Sequence, residues 1–327
     1  MTQTALITGV TGQDGVLLAR HLRSAGYRVV GTTQPGKPST LRPYLHGVVI
    51  EEHDLRDGPG FDRLLKTYVP DEVYNLAGFT SVSSSWDDPA LVFDVNTVAV
   101  DHMLGSLARC AGVRFFQASS SEVFGPDAPN LQDELTPHDP QNPYAESKSR
   151  AHDATVRARE GGLFACIGIL YNHESPLRPT QFVTRKITRA AAEIGEGMRD
   201  TVALGNLDVS RDWGPARDYV IAMHAALRQE TPTDYVIATG QLHTLGELLE
   251  TAFAAVEIDD PWKYVEQDAA LLRKADAPGL SGDASKARDL LGWSPSVTFE
   301  ELVHEMVAVD QLRVRTGVEE HVSYLDR

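Results

Sequence analysis

Apolar residues fall along the chain in short dense runs separated by stretches of helical spacing. "TALITGV" (4–10), "YRVVGT" (27–32), "GVVIEE" (47–52), "EVYNLAG" (72–78), "VRFFQAS" (113–119), "LFACIGIL" (163–170) and "DYVIATG" (234–240) are near-continuous rather than alternating. That is the pattern of strands covered on both faces. Between the earlier runs, residues 16–25, 62–68, 89–111 and 144–160 carry the spacing of amphipathic helices. The β-α-β-α alternation predicts an α/β fold built on a doubly wound parallel sheet. Residues 126–143 hold five prolines, which predicts a surface loop over the strand ends rather than regular structure.

Beyond residue 170 the alternation stops. A helix over 181–195, a short strand over 201–204, a strand and helix over 234–255 and an amphipathic helix over 299–316 predict a smaller mixed α/β lobe. The expected division is a first domain over 1–170 and a second lobe made of 171–212 and 241–327, with 213–240 returning to the first. Repeats and low-complexity tracts are absent.

Composition narrows the partners. The formal charge of −16, from 46 acidic and 30 basic residues without a run of Lys or Arg, argues against a nucleic-acid or acidic-membrane surface. An anionic ligand would have to find its positive contacts locally. Cys110 and Cys166 are the only cysteines, too few for a disulfide framework and without metal spacing. The opening "MTQTALITGV" has no basic stretch ahead of an apolar core, and no window approaches a membrane span. A soluble cytoplasmic protein without a metal is expected.

"TGVTGQDG" follows the first strand and precedes a helix, setting Gly9, Gly12 and Gly15 at G-x-x-G-x-x-G spacing. Backbone N–H groups and a positive helix N-terminus can there approach a pyrophosphate, the signature of a Rossmann-type dinucleotide site. Asp54 and Leu55, at the end of the third strand, are placed by an adenine. The second strand ends "GTTQPGKPSTLR", with no acid for a ribose hydroxyl and with Lys37 and Arg42 as the nearest cations. NADP is therefore favoured, with NAD as the alternative.

Tyr144 and Lys148 lie four apart on a helix that starts at Pro143, so they share one face. An ammonium beside a phenol favours the phenolate and would make the tyrosine a base for a sugar hydroxyl. "SSSE" ends the strand before it, and a serine there can hydrogen-bond both the tyrosine and a substrate hydroxyl. Glu122 reads in two ways. It is either an ordinary acid on a loop or helix start, or the base needed when a carbon-bound proton must also be removed.

The segments "TGVTGQDG", "DEVYNLAG", "QASSSEVFG", "PYAESK", "ILYNHESPLRPTQFVTRKITR", "LGNLDVSRDWGPARDYV" and "GDASKARDLLGWSPSVTFEELV" resemble the GDP-mannose 4,6-dehydratase family of extended short-chain dehydrogenases/reductases. The resemblance runs nearly end to end. It implies that Ser120, Glu122, Tyr144 and Lys148 are catalytic. Gln13, Asp14, Leu76, Ala77, His173 and Arg178, with the glycines, Tyr144 and Lys148, would then face the nicotinamide cofactor. Asn172, Lys186, Arg211 and Arg273, with Ser120 and Glu122, would face a GDP-sugar in the second lobe. It further implies oxidation at C4, loss of water across C5–C6 and return of hydride to C6; the alternatives are a 4-ketoreductase, an epimerase or a dehydratase for a different NDP-hexose on the same scaffold, and after them a non-catalytic nucleotide-sugar-binding protein. The chain departs from the family at Ser120, where threonine is usual, and at Leu91, where tyrosine is usual. Gln34 and Pro35 stand where two arginines bind the NADP phosphate and join a tetramer, so a homodimer is expected, with a tetramer as the alternative.

Overall fold

A computed structural model describes residues 2–129, 131–268 and 279–326. Its first half alternates as β1 (Thr4–Thr8), α1 (Gln13–Ser24), β2 (Arg28–Thr33), β3 (Val49–Glu52), α2 (Gly58–Tyr68), β4 (Glu72–Asn75), α3 (Pro89–Phe93), α4 (Ala99–Leu107), β5 (Arg114–Ala118), α5 (Pro143–Glu160) and β6 (Phe164–Leu170). The second half runs through β7 (Asn172–Glu174), α6 (Val183–Gly195), β8 (Val202–Leu204), β9 (Ser210–Arg211), β10 (Trp213–Pro215), α7 (Ala216–Leu227) and β11 (Asp234–Ile237). It ends with β12 (His243–Thr244), α8 (Leu245–Ala254), β13 (Val265–Gln267), α9 (Ser285–Leu291) and α10 (Phe299–Thr316).

Seven parallel strands form the central sheet in the order β11-β6-β5-β4-β1-β2-β3. Strands β1 and β4, the two on either side of the order reversal, are buried along their whole length, whereas β3 at one edge is largely open. The other edge, β11, is covered by the proline-rich loop. Glu134 accepts from the Val236 backbone N–H at 2.7 Å, and the Tyr171 hydroxyl donates to Gln132 at 2.6 Å. That loop is thus more than a surface excursion: it closes a sheet edge that would otherwise expose unpaired amides. Helix α7 packs on α1, and β11 pairs with β6, so this part of the chain completes the sheet layer.

Residues 89–111 were expected to form one helix. They form α3 and α4 joined by a π-helical turn, Asp94–Val98. Asn96 is the cause: its buried side chain accepts from the Phe79 N–H at 2.8 Å and donates to the Phe79 carbonyl and to Ser147 Oγ, both at 3.1 Å. The widened turn lets that side chain face inward.

A second core lies among α6, α8 and α10, where Ile187, Ile194, Leu249, Phe253, Phe299 and Val307 meet. Both α8 and α10 begin with a capping box, Thr244 with Glu247 and Thr298 with Glu301, which satisfies the first free amides of each helix.

Candidate active site

At the C-terminal end of β1 the chain turns sharply into α1. Gly9 has φ of +71°, and a Cβ there would lie 2.9 Å from the Ala77 Cα. At Gly15 a Cβ would sit 2.3 Å from the Gly9 carbonyl oxygen, so this glycine is fixed by close packing of helix on turn. Gly12 is the N-cap of α1 and offers no side-chain cap to the helix. A Cβ on it would meet only the Gly9 carbonyl oxygen, at 3.4 Å. An open cradle and uncapped amides at a helix N-terminus fit the pyrophosphate of a dinucleotide. Thr8 Oγ1 accepts from the Ala77 N–H at 3.1 Å and donates to Asn75 at 2.7 Å, which fixes Leu76 and Ala77 beside the turn.

The first two residues of α1 face the second half. Gln13 donates to the His173 carbonyl at 3.1 Å and accepts from Ser175 at 2.9 Å. Asp14 pairs with His173 Nε2 at 2.9 Å, while His173 Nδ1 lies 2.7 Å from the Tyr171 carbonyl and the ring stacks on Tyr219. Burial alone would raise Asp14 and lower His173, but the pair outweighs it. The Asp14 carboxyl is held below its usual range by His173, and the imidazole is held above its own by Asp14. Each partner thus favours the charged form of the other.

The sign of the pH dependence follows. His173, with its folded pKa raised, adds stability that is complete below its unfolded pKa and fades as pH rises through the folded value. Asp14, with its pKa depressed, adds stability present above its unfolded pKa and lost as pH falls through the folded value. Thermal unfolding of the wild type and of His173→Gln should therefore differ most between the unfolded pKa of Asp14 and that of His173, and the difference should shrink as pH rises through the raised folded pKa of the imidazole. A difference that grows with pH would contradict the pairing.

Strand β5 ends at Ala118, and Ser120 caps the short 3-10 turn Ser121–Val123 that follows, accepting from the Glu122 N–H at 3.3 Å. This carries Glu122 to the strand ends, where it is half-buried. Helix α5 begins at Pro143 because Asn142 caps it, accepting from the Ala145 N–H at 2.8 Å. Tyr144 is consequently in the first turn with Lys148 one turn on, its ammonium 5.9 Å from the phenol ring centroid. Ser120 and Glu122 lie near enough to the phenol to act on its ionisation, Ser120 favouring the charged form and Glu122 opposing it. Ser120, Glu122 and Tyr144 are thus brought together from two elements. The lysine departs from expectation. Its Nζ donates to the Ala118 carbonyl at 3.0 Å, and burial drops its pKa to about 8. Burial likewise pushes the Tyr144 phenol up to about 12, helped by Glu122 and opposed by Ser120. The cost of removing charge from water exceeds the benefit expected from a neighbouring ammonium.

The other candidates spread outward. Arg178 lies against Glu174 with its Nε at 3.1 Å from the carboxylate and its guanidinium 3.7 Å over the Phe182 ring. Asn172 pairs with Trp213 in the β7–β10 ladder, and the half-buried Lys186 is on α6. Arg211 donates to the Ser210 carbonyl at 2.7 Å. Arg273 lies outside the described residues. Arg42 is exposed at the start of the 3-10 turn Arg42–Leu45. Asp54 is engaged by Arg56 at 2.6 Å, which holds its carboxyl at about 2; Leu55 packs against the core below. Sequence reasoning missed Asn96, which holds the 78–80 loop over Lys148: a Cβ on Gly78 would lie 2.8 Å from Asn96 Oδ1 and 3.8 Å from Lys148 Nζ. Its one sequence signal was an asparagine among the buried positions of a helical segment.

Among the described residues no group of His, Cys, Asp and Glu could hold a metal, and no helix is long and apolar enough to cross a membrane. The parallel sheet, its glycine turn and the Ser-Tyr-Lys set at the strand ends define an enzyme of the short-chain dehydrogenase/reductase class. Among solved structures the chain is similar to RMD from Pseudomonas aeruginosa, complexed with NADPH (TM-score 0.81, 26% identity, 95% of this chain and 100% of that one). It is also similar to the Thermus thermophilus UDP-glucose 4-epimerase complex with NAD (TM-score 0.82, 25% identity, 95% and 99%). Residues 6–306 match the profile of the GDP-mannose 4,6 dehydratases. GDP-mannose 4,6 dehydratase 2 of Arabidopsis thaliana is 43% identical over 98% of this chain and 91% of its own, and the Homo sapiens enzyme is 38% identical over 96% and 92%. The chain belongs to the GDP-mannose 4,6-dehydratase family.

Proposed function

We propose that the chain is a hydro-lyase converting GDP-D-mannose to GDP-4-dehydro-6-deoxy-D-mannose. Tyr144 removes the proton from the C4 hydroxyl, Ser120 orients that hydroxyl, and the Lys148 ammonium supports the charge that develops on the phenol. The bound nicotinamide supplies a hydride acceptor for C4, a positive ring when oxidised, and the same hydride for C6. Glu122 takes the C5 proton, made acidic by the neighbouring ketone, and delivers it to the departing C6 hydroxyl, which leaves as water. Electrons and protons balance within one turnover: C4 is oxidised, C6 is reduced, C5 takes back a proton equivalent to the one Tyr144 removed from O4, and the sum is loss of one water.

The reading rests above all on one observation, that Ser120 and Glu122, held in one short 3-10 turn, lie near enough to the Tyr144 phenol to act on its ionisation. A reductase or epimerase needs the tyrosine and the serine but has no use for a second base. Asn172, Lys186 and Arg211 are the candidate contacts for the GDP-sugar, with the arginine supplying local positive charge to a diphosphate in an otherwise acidic chain. NADP is the cofactor we favour. The end of β2 presents Thr33, 3.0 Å from the Thr11 hydroxyl, with Ser39 reaching the Thr11 carbonyl at 3.4 Å. Lys37 and Arg42 are close in sequence, and residues 33–42 include no acid. We read the lobe after residue 170 as the sugar-nucleotide side and the protein as a cytoplasmic homodimer.

Incubation with GDP-mannose and a catalytic amount of NADP should give a product lighter than the substrate by one water, detected by mass spectrometry. A product of unchanged mass, or one formed only with stoichiometric consumption of NADPH, would sink the dehydratase reading in favour of an epimerase or a reductase.

A further inference from the structure

Helix α10 ends at Gly317, whose φ of +68° stops it in the left-handed conformation. The segment that follows crosses from the second core to the nucleotide side. Asp326 pairs with Arg20 of α1 at 2.7 Å, Leu325 packs on the core beneath the sheet, and Glu320 accepts from the Tyr44 hydroxyl at 2.8 Å. Tyr44 belongs to the turn that carries Arg42, and that turn starts where Ser39 accepts from the Leu41 N–H at 3.1 Å and reaches the Thr11 carbonyl.

The same Glu320 carboxylate accepts from Arg313 Nη2 at 3.1 Å. Arg313 has no exposed surface, and its donors are distributed among three elements. It donates to the Glu319 carbonyl at 2.6 Å, to Asp310 at 3.2 Å and to the Pro176 carbonyl at 2.9 Å. Arg185 supports the same turn from α6, donating to the Pro176 carbonyl at 2.8 Å and the Arg178 carbonyl at 3.0 Å, with Asp310 as its counter-ion. Two buried guanidinia thus face two carboxylates, and their spare donors go to the backbone of the turn between β7 and α6. That turn carries Arg178 and directly follows β7, whose His173 pairs with Asp14. Buried networks of this kind are costly to leave half-made, so they fix geometry more than they add stability.

We propose that Glu320 is a positioning residue for the dinucleotide: through Tyr44 and Arg313 it holds both cofactor-facing loops, the 39–45 turn and the 175–178 turn, in register with the glycine turn. The proposal rests on the reading of the dinucleotide site given above. Glu320 lies outside the catalytic set, and its carboxylate contacts both a residue of the 39–45 turn and the buried arginine.

The test measures NADPH binding by fluorescence titration in wild type, Glu320→Ala, Glu320→Gln and Tyr44→Phe. Glu320→Ala should bind NADPH about tenfold more weakly, as expected for losing a charge-assisted contact, with kcat at saturating NADP within about twofold of wild type. Glu320→Gln keeps an acceptor oxygen for both donors and should recover most of the affinity. Tyr44→Phe should show a smaller loss, and combined with Glu320→Ala it should add little. Hydrogen exchange should quicken at both 42–45 and 175–178 in Glu320→Ala. Unchanged NADPH affinity in Glu320→Ala, even with a lower melting temperature, would overturn the proposal. So would a loss of kcat without a loss of affinity. A wild type that binds neither NADPH nor NADH would instead overturn the dinucleotide reading itself, and this proposal with it.

Discussion

Replacing Glu122 by glutamine should stop the reaction midway, with overall turnover down by about 10²- to 10⁴-fold, the range for loss of a positioned proton-transfer group. The substitution is nearly isosteric, and the Glu122 backbone N–H that Ser120 accepts remains in place, so the strand end should keep its shape. On the proposed mechanism, oxidation at C4 uses Tyr144 and Ser120 and should continue. The C5 proton would then have no acceptor, so exchange of that position with deuterated solvent should vanish while the bound cofactor accumulates in its reduced form. A second effect follows from electrostatics. The Glu122 charge is one of the influences that push the Tyr144 phenol up to about 12. The phenol must lose its proton to act as a base, so the rate of C4 oxidation rises with pH through its pKa. Removing the neighbouring anion should move that rise to lower pH. Rapid-mixing absorbance of the reduced nicotinamide, followed across pH, reads both effects. Undiminished C5 exchange in Glu122→Gln would assign the proton to another base.

The parts legible in the sequence are those with a local cause. Near-continuous apolar runs marked the sheet strands because a strand covered on both faces has no polar side to show. The glycine turn was legible because two of its positions exclude a side chain, one through positive φ and one through contact with the turn itself. Tyr144 and Lys148 were paired by helical spacing alone. What escaped depended on distant partners. The break at Asp94–Val98 arises because Asn96 reaches Phe79 and Ser147, and nothing within residues 89–111 encodes those two. The anchoring of the proline-rich loop through Gln132 and Glu134 needs Tyr171 and Val236, neither nearby in sequence. The Asp14–His173 pair joins positions that only the sheet order brings together. The pKa of the tyrosine could not be read from a lysine one turn away, because burial depends on the whole fold.

Tyr144→Phe should cost at least about 10³-fold in turnover, near the upper part of the range for removing a general base, and its signature should differ from that of Glu122→Gln. The phenylalanine keeps the buried ring and loses only the hydroxyl near Ser120. Ser120 keeps the Glu122 N–H, so the cost stays at or below the roughly 1–3 kcal/mol of an unsatisfied buried hydroxyl, too little to unfold a chain with two extensive cores. The loss should therefore appear in chemistry rather than in folding. Without the phenol, the C4 hydroxyl keeps its proton and the ketone does not form. The C5 proton then stays unacidified even though Glu122 is in place. Solvent exchange at C5 should disappear together with cofactor reduction, whereas Glu122→Gln loses the first and keeps the second. The two variants thus order the steps: oxidation by the tyrosine comes before proton removal by the glutamate. Reduced cofactor appearing in Tyr144→Phe at the wild-type rate would remove the phenol from the role of base and leave Ser120 or Lys148 to fill it. Lys148, pushed down to about 8 by burial, would then be the group whose titration sets the pH profile of the remaining activity.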